Sequence, residues 1–232
     1  MKYSKREALR QSEELMQYYP DMHLCLSTEE EIALEGTILI NRTAKGFTLY
    51  KTYAVKVVVP LGTEDLPYVI DAGNAIDSQY PHRYRDGKLC LETDASIKVR
   101  FVGGMTLRGW MSEFVESYYF SYEFYQRYGE FPFGERSHGL VGIIQTYSDF
   151  FHEPDVIKTI RIMASIVSSK YRGHQPCPCG SGKKLRSCHG PFTMNFYMDD
   201  RLKDIVREDF FLLREAAQKA DEQQHDTRKT ER

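Results

Sequence analysis

The stretch IALEGTILINRTAKGFTLYKTYAVKVVVP, residues 32–60, decides the fold. Its first arm, IALEGTILI, alternates apolar and polar residues and then becomes solidly apolar. Its second arm, FTLYKTYAVKVVVP, alternates over a long run rich in β-branched and aromatic side chains. Period-two patterning of this kind is what a half-buried strand requires. Residues 41–46, closing on Gly46, read as the turn between the arms, so the stretch predicts a β-hairpin. Pro60 and Gly62 end it. Upstream, residues 4–19 predict a helix. Ser4 is its cap, Glu7 follows three residues on, Leu9, Leu15, Met16 and Tyr19 form an apolar stripe, and Pro20 stops it. The stripe reads first as a packing face. Downstream, LPYVIDAGNAI (residues 66–76) is a shorter extended piece. A helix followed by an antiparallel meander defines an α+β domain.

Further along, SIKVRFV (96–102) alternates and reads as one more strand, broken by Gly103-Gly104. TLRGWMSEFVESYYFSYEFYQRYG (106–129) is the strongest helix in the chain. Leu107, Trp110, Met111, Phe114, Val115, Tyr118 and Tyr119 recur at three- and four-residue steps. That aromatic density invites a base-stacking role, but the spacing suits a helix covering a sheet, with Trp110 against it. Residues 155–169 predict another helix. A last one starts near Asp200, with Leu202, Ile205, Val206 and Phe210 on one face. Residues 221–232 are polar throughout and predict a frayed tail.

Composition narrows the function. The 232 residues are 41% apolar and 13% aromatic, enough for a substantial core. The 31 basic and 33 acidic side chains leave a net charge of −2, which gives no general attraction to nucleic acid or to membrane surfaces. No apolar run reaches spanning length and no signal-type segment follows the N-terminal basic residues, so the expectation is a soluble cytoplasmic protein. Of the 5 cysteines, Cys25 and Cys90 stand alone, while Cys177, Cys179 and Cys188 crowd together. Such crowding reads as metal binding rather than as a disulfide frame.

Two segments carry chemistry. In YPHRYRDGKLCLE, residues 80–92, Pro81, Asp86 and Gly87 break regular structure, and Leu89 and Leu91 flank Cys90. If the leucines face a core, alternation turns the cysteine outward. An outward thiol near His82 suits nucleophilic chemistry, whereas a lone cysteine more often packs as a small apolar residue. His138, in the polar run 135–138, is a candidate base or orienter for it. In QPCPCGSGKKLRSCHGP, residues 175–191, Cys177, Cys179, Cys188 and His189 give Cys-x-Cys-x8-Cys-His. Three thiolates and one imidazole complete a tetrahedral zinc shell and leave no open position, which defines a structural site. Lys183, Lys184 and Arg186 make the segment basic. The glycine spacing excludes a P-loop, and no His-x-Glu precedes a Cys-x-x-Cys as zinc deaminases require.

The cysteine segment resembles the active-site segment of ubiquitin-conjugating enzymes. There a His-Pro-Asn triplet, a short turn ending in Gly and an apolar residue precede the catalytic Cys. Here Tyr80-Pro81-His82 stands for the triplet, and Gly87, Leu89, Cys90, Leu91 and Glu92 match the remaining offsets. The resemblance covers roughly residues 1–165 by order of elements and departs in placing His82 where the family has asparagine. It implies a ubiquitin-conjugating-like domain over 1–170 in which Cys90 carries a partner protein's C-terminus as a thioester. His82 would organise the loop or steady the oxyanion, and Asp94 or His138 would assist the incoming amine. Similar proteins in bacterial anti-phage operons join the C-terminus of a nucleotide cyclase to targets, which makes a cyclase a candidate partner. The run 175–191 resembles the zinc module at the C-terminus of the SecA translocation ATPase. That resemblance implies a protein-binding appendage over 171–195, followed by a helix and tail over 196–232. Two other readings remain at this stage: an inert scaffold serving as an adaptor, and a cysteine hydrolase pairing Cys90 with His138.

Overall fold

The hairpin expected from residues 32–60 forms, and it is longer and tighter than the sequence suggested. The computed structural model describes residues 2–230, with the backbone alone over 224–230. Strands β2 (Glu31–Ala44) and β3 (Phe47–Pro60) pair antiparallel along their whole length, from Glu31 opposite Pro60 to Ala44 opposite Phe47. The turn is only Lys45 and Gly46, with φ of 51° and 73°. Two left-handed residues twist in the sense that joins right-twisted strands, so the predicted turn residues 41–44 remain in the ladder. Flanking strands β1 (His23–Ser27) and β4 (Tyr68–Asp71) complete a four-stranded meander in the order β1-β2-β3-β4.

One face of this sheet makes the core. Ile32, Leu34, Ile38 and Ile40 on β2, with Tyr53, Val55, Val57 and Val59 on β3, are all buried. The alternation read from the sequence is the alternation of burial except at the paired Ala33 and Val58, which are buried on the other face. At Gly36 the chain leaving the first helix crosses β2. A Cβ there would stand 2.1 Å from the Asp21 carbonyl oxygen, so only glycine admits the crossing.

Helix α1 (Lys5–Tyr18) starts at Ser4, whose hydroxyl accepts the Glu7 N–H as the capping pattern predicts. The residues predicted as the strand 96–102 are instead helix α2 (Asp94–Val102), capped by Thr93, whose hydroxyl accepts from the Ser96 N–H. Ile97 and Phe101 are buried in either conformation, because residues four apart share a face of both a strand and a helix. Val99 decides between them. A strand would bury it beside the other two, and it is only half-buried.

The aromatic helix is continuous but not uniform. Helix α3 (Leu107–Trp110) passes through a π turn (Met111–Val115) into α4 (Glu116–Tyr128), which covers β2 and β3. Trp110 is fully buried in the core that the sheet also lines, and α3 packs on α1. The Leu107 N–H donates to Gln11 Oε1 on α1 at 2.8 Å. Tyr119 lies over Tyr53 with ring centroids 4.1 Å apart, and Glu123 accepts from both Lys51 and the Tyr53 hydroxyl at 2.6 Å. Trp110, Tyr118, Tyr119, Phe120, Tyr122 and Phe124 of this helix are core side chains, while Tyr128 at its end is exposed.

The chain divides into two compact units between Glu135 and Arg136. The second contains α5 (Gly139–Phe151), α6 (Val156–Ser168), α7 (Gly190–Met198) and α8 (Asp200–Thr230). Helices α5 and α6, which the sequence reading placed with the first domain, thus group with the cysteine cluster. Leu202, Ile205 and Val206 on α8 are buried as expected. The Tyr147 hydroxyl donates to Asp209 at 2.8 Å, and the Tyr197 hydroxyl to Ser165 at 2.8 Å. The tail predicted to fray is helical in its backbone as far as Thr230, and residues 231–232 lie outside the described residues. Among the described residues no helix is long and apolar enough to cross a membrane.

Candidate functional site

The Cys90 segment is a small loop folded back on itself beyond β4. The Leu89 N–H donates to the Val69 carbonyl at 2.9 Å, which holds the segment to the sheet. The Cys90 N–H donates to the His82 carbonyl at 2.8 Å, and the Tyr84 N–H to the Lys88 carbonyl at 2.9 Å. A buried carboxylate secures the approach: Asp71 accepts the Ile76 N–H at 2.8 Å. Leu89 is buried and Leu91 half-buried, while Cys90 is half-buried and lines a cavity of about 470 Å³. Pro67, Tyr68, Tyr84, Glu92 and Asp94 share that lining.

The surroundings of the sulfur are acidic and aromatic. Burial pushes the Cys90 thiol above its ordinary range and the nearby Glu92 and Asp94 add to the effect, while a hydrogen bond from Tyr84 opposes it. The Tyr84 hydroxyl donates to Sγ at 3.4 Å. At neutral pH the sulfur therefore rests as a thiol and must lose its proton as it reacts. Replacing Tyr84 by Phe removes a donor that favours the thiolate. Tyr84→Phe should slow alkylation of Cys90 by iodoacetamide at pH 8 about 3- to 10-fold, read by mass spectrometry. An unchanged rate would show that the hydroxyl does not act on the sulfur.

His82 stands with Cys90. One of its ring nitrogens lies within 4.8 Å of Sγ. The ring packs edge-on against Phe131 at 5.3 Å, and its Nε2 is 3.8 Å from Glu135. The His82 carbonyl also accepts the Tyr118 hydroxyl at 3.0 Å. His82 thus organises the loop through its backbone and places its imidazole near the thiol. Asp94 is the first residue of α2 and lines the cavity. His138 is exposed, in the residue before α5 and in the second unit. Sequence reasoning missed Tyr84 and Tyr118. Tyr84 lay inside the quoted segment, but no spacing rule distinguishes a tyrosine that meets a cysteine across a turn from one that faces solvent.

In the second unit the four predicted zinc ligands come together. The ligating atoms of Cys177, Cys179, Cys188 and His189 all lie within 4.8 Å of one another. Cys177 Sγ is 3.3 Å and Cys188 Sγ 3.4 Å from His189 Nδ1, and Cys179 Sγ is 3.7 Å from Cys188 Sγ. A tetrahedral ion with Zn–S of ~2.3 Å and Zn–N of ~2.0 Å has ligand–ligand edges of about 3.7 Å (S–S) and 3.5 Å (S–N). The donor set therefore fits zinc in both chemistry and size. The local fold delivers it. The Cys177 N–H donates to the Lys183 carbonyl at 2.8 Å and the Leu185 N–H to the Gln175 carbonyl at 2.8 Å, which brings Cys177 and Cys188 together. His189 immediately precedes α7. Without a cation, burial pushes the Cys177 thiol up to about 11. Burial also opposes ionisation of Cys179, but hydrogen bonds from Ser181 outweigh it and draw that thiol down. Burial pushes His189 down, toward the neutral imidazole a metal needs.

Residues 175–191 match the SEC-C motif, a zinc-binding motif, and the cluster of Cys177, Cys179, Cys188 and His189 lies within the match. The zinc is structural, because the shell is complete without a water. No curated protein and no solved structure matches the chain.

Proposed function

We propose that this chain is a ubiquitin-conjugating-like acyl carrier whose reactive atom is Cys90 Sγ. The observation that carries the proposal is the half-buried sulfur on the rim of a 470 Å³ cavity, in a folded-back loop that follows a four-stranded meander and precedes a helix. The order α1, β1–β4, cysteine loop supports the reading, since the resemblance implies a helix, a strand meander and a turn before the cysteine.

The reaction has two steps. The thiol attacks an activated C-terminal acyl group on a partner protein. The C–S bond to Cys90 forms, the bond to the activating group breaks, and the thiol proton leaves with that group or with a base. An amine then attacks the thioester carbonyl, an amide forms, and Cys90 departs as thiol. His82, with a ring nitrogen within 4.8 Å of Sγ, would assist at the sulfur or carbonyl. The acidic rim of Glu92 and Asp94 suits a cationic amine as acceptor. Among the described residues the only lysine lining the cavity, Lys88, is 3.3 Å from Asp86 and sits over Tyr68. A partner protein with a conjugatable C-terminus, such as a nucleotide cyclase in anti-phage defence, would be the donor. The SEC-C module would recruit a partner.

A peptide bearing a C-terminal thioester tests the chemistry without an activating enzyme. Incubation with the full chain should give an adduct that reductant removes and that Cys90→Ala abolishes. Cys90→Ser should form a reductant-resistant ester. An adduct that persists in Cys90→Ala would refute the proposal.

A further inference from the structure

We propose that Glu153 is the carboxylate that orients His189 on the metal, so that the zinc site is built from a residue outside the motif as well as from those within it. Glu153 lies in the connection between α5 and α6, far from residues 175–191 in sequence. It is buried, with 8% of its surface exposed. A carboxylate is costly to bury unless both oxygens are engaged. Oε1 accepts the Asp155 N–H at 3.1 Å and lies 4.0 Å from Lys158 Nζ. Oε2 lies 3.3 Å from His189 Nε2. The Glu153 backbone is held as well, through its N–H to the Ser148 carbonyl at 3.0 Å and its carbonyl to the Thr159 hydroxyl at 2.9 Å.

Two observations meet on the imidazole. Nε2 faces a carboxylate, which accepts only, so Nε2 carries the proton. Nδ1 faces two cysteine sulfurs at 3.3 and 3.4 Å, so its lone pair points at the ligand cluster. The carboxylate thus selects the tautomer in which Nδ1 is the metal ligand, and it fixes the ring plane. It also ties the metal module to the α5–α6 connection, so the knuckle is not an independent bead.

The experiment measures zinc affinity of the full chain by chelator competition. Glu153→Ala should weaken binding about 100-fold and Glu153→Gln about 10-fold, the range typical when a partner behind a ligand is lost. Glutamine keeps one acceptor oxygen for the two contacts. The same changes are then made with His189→Cys, which retains four ligands but no imidazole. There Glu153→Ala should change affinity less than about threefold, since the coupling is confined to the ring. An equal loss in both backgrounds would mean that Glu153 acts by supporting the loop, and no loss in the natural background would remove its role altogether. If His189→Cys does not load zinc, solvent exchange of the His189 Nε2 proton, read by NMR in zinc-loaded protein, decides. Exchange at least about 10-fold faster in Glu153→Ala supports the assignment, and unchanged exchange overturns it.

Discussion

Cys177→Ser should leave the purified chain with less than about one-tenth of a zinc per molecule, against about one in the natural protein. The two would be compared by elemental analysis. Cys177 is buried, its amide is fixed to Lys183, and it shares the ligand cluster with His189 at 3.3 Å. A hydroxyl at that place is a far weaker ligand than a thiolate. The loss exceeds the ~10–100-fold expected from disturbing a group behind a ligand. The segment between α6 and α7 has few buried apolar side chains, among them Leu185. Structural zinc contributes an apparent ~10–16 kcal/mol in isolated zinc-finger peptides, so here too metal binding is the principal source of local order. Hydrogen exchange over residues 173–198 should accelerate in Cys177→Ser and in chelator-treated protein alike. Acid should have the same effect. The Cys177 thiol lies at about 11 when no cation is bound, so binding displaces its proton, and affinity falls by up to about 10-fold per pH unit for each proton displaced. Zinc content that survives the substitution would mean that three ligands suffice, contrary to a closed structural shell.

Gly36→Ala should be the most damaging single change in the first unit. A methyl at this position would stand 2.1 Å from the Asp21 carbonyl oxygen and 2.8 Å from Met22 Cα, and both are backbone atoms that cannot rotate aside. The backbone itself is at φ 153°, where an L side chain is strained. Gly36 lies opposite Val55 in the middle of the longest ladder, so relief would require shifting either the strand or the chain leaving α1. Overpacking of this severity costs about 3 kcal/mol. For a unit of this size that lowers the thermal midpoint by about 10 °C, measurable by calorimetry or circular dichroism. A shift under about 2 °C would show that the crossing at Gly36 is looser than described.

What the sequence disclosed followed from how locally each signal is determined. The hairpin was legible because alternation of Ile32, Leu34, Ile38 and Ile40 is imposed by strand geometry alone. The zinc ligands were legible because a tetrahedral shell constrains spacing as well as residue type. Helix α2 was misread because Ile97 and Phe101 fit both periods. The informative residues were Thr93 and Ser96, whose side chain and amide close a helix cap. Glu153 was invisible for a different reason. Its relation to His189 exists only once α5, α6 and the metal knuckle have come together, and nothing in its own neighbourhood marks it. Tyr84 occupied a middle case, inside the right segment but distinguishable only by the turn that brings its hydroxyl to Cys90. Trp110 shows the limit of face assignment. Periodicity identified it as buried but did not show that its helix α3 would also pack on α1.

Each strand of the meander pairs with its neighbour in sequence, and the whole meander lies within the first unit. Nascent chain therefore holds every strand of the sheet while the second unit is still being made. At ~5–20 residues per second, translation of residues 136–176, up to the first metal-binding cysteine, occupies roughly 2–8 s. A small domain folds in well under that time. The backbone bonds that hold the cysteine loop, from Leu89 to Val69 and from Cys90 to His82, thus have both partners in place before the metal-binding cysteines are synthesised.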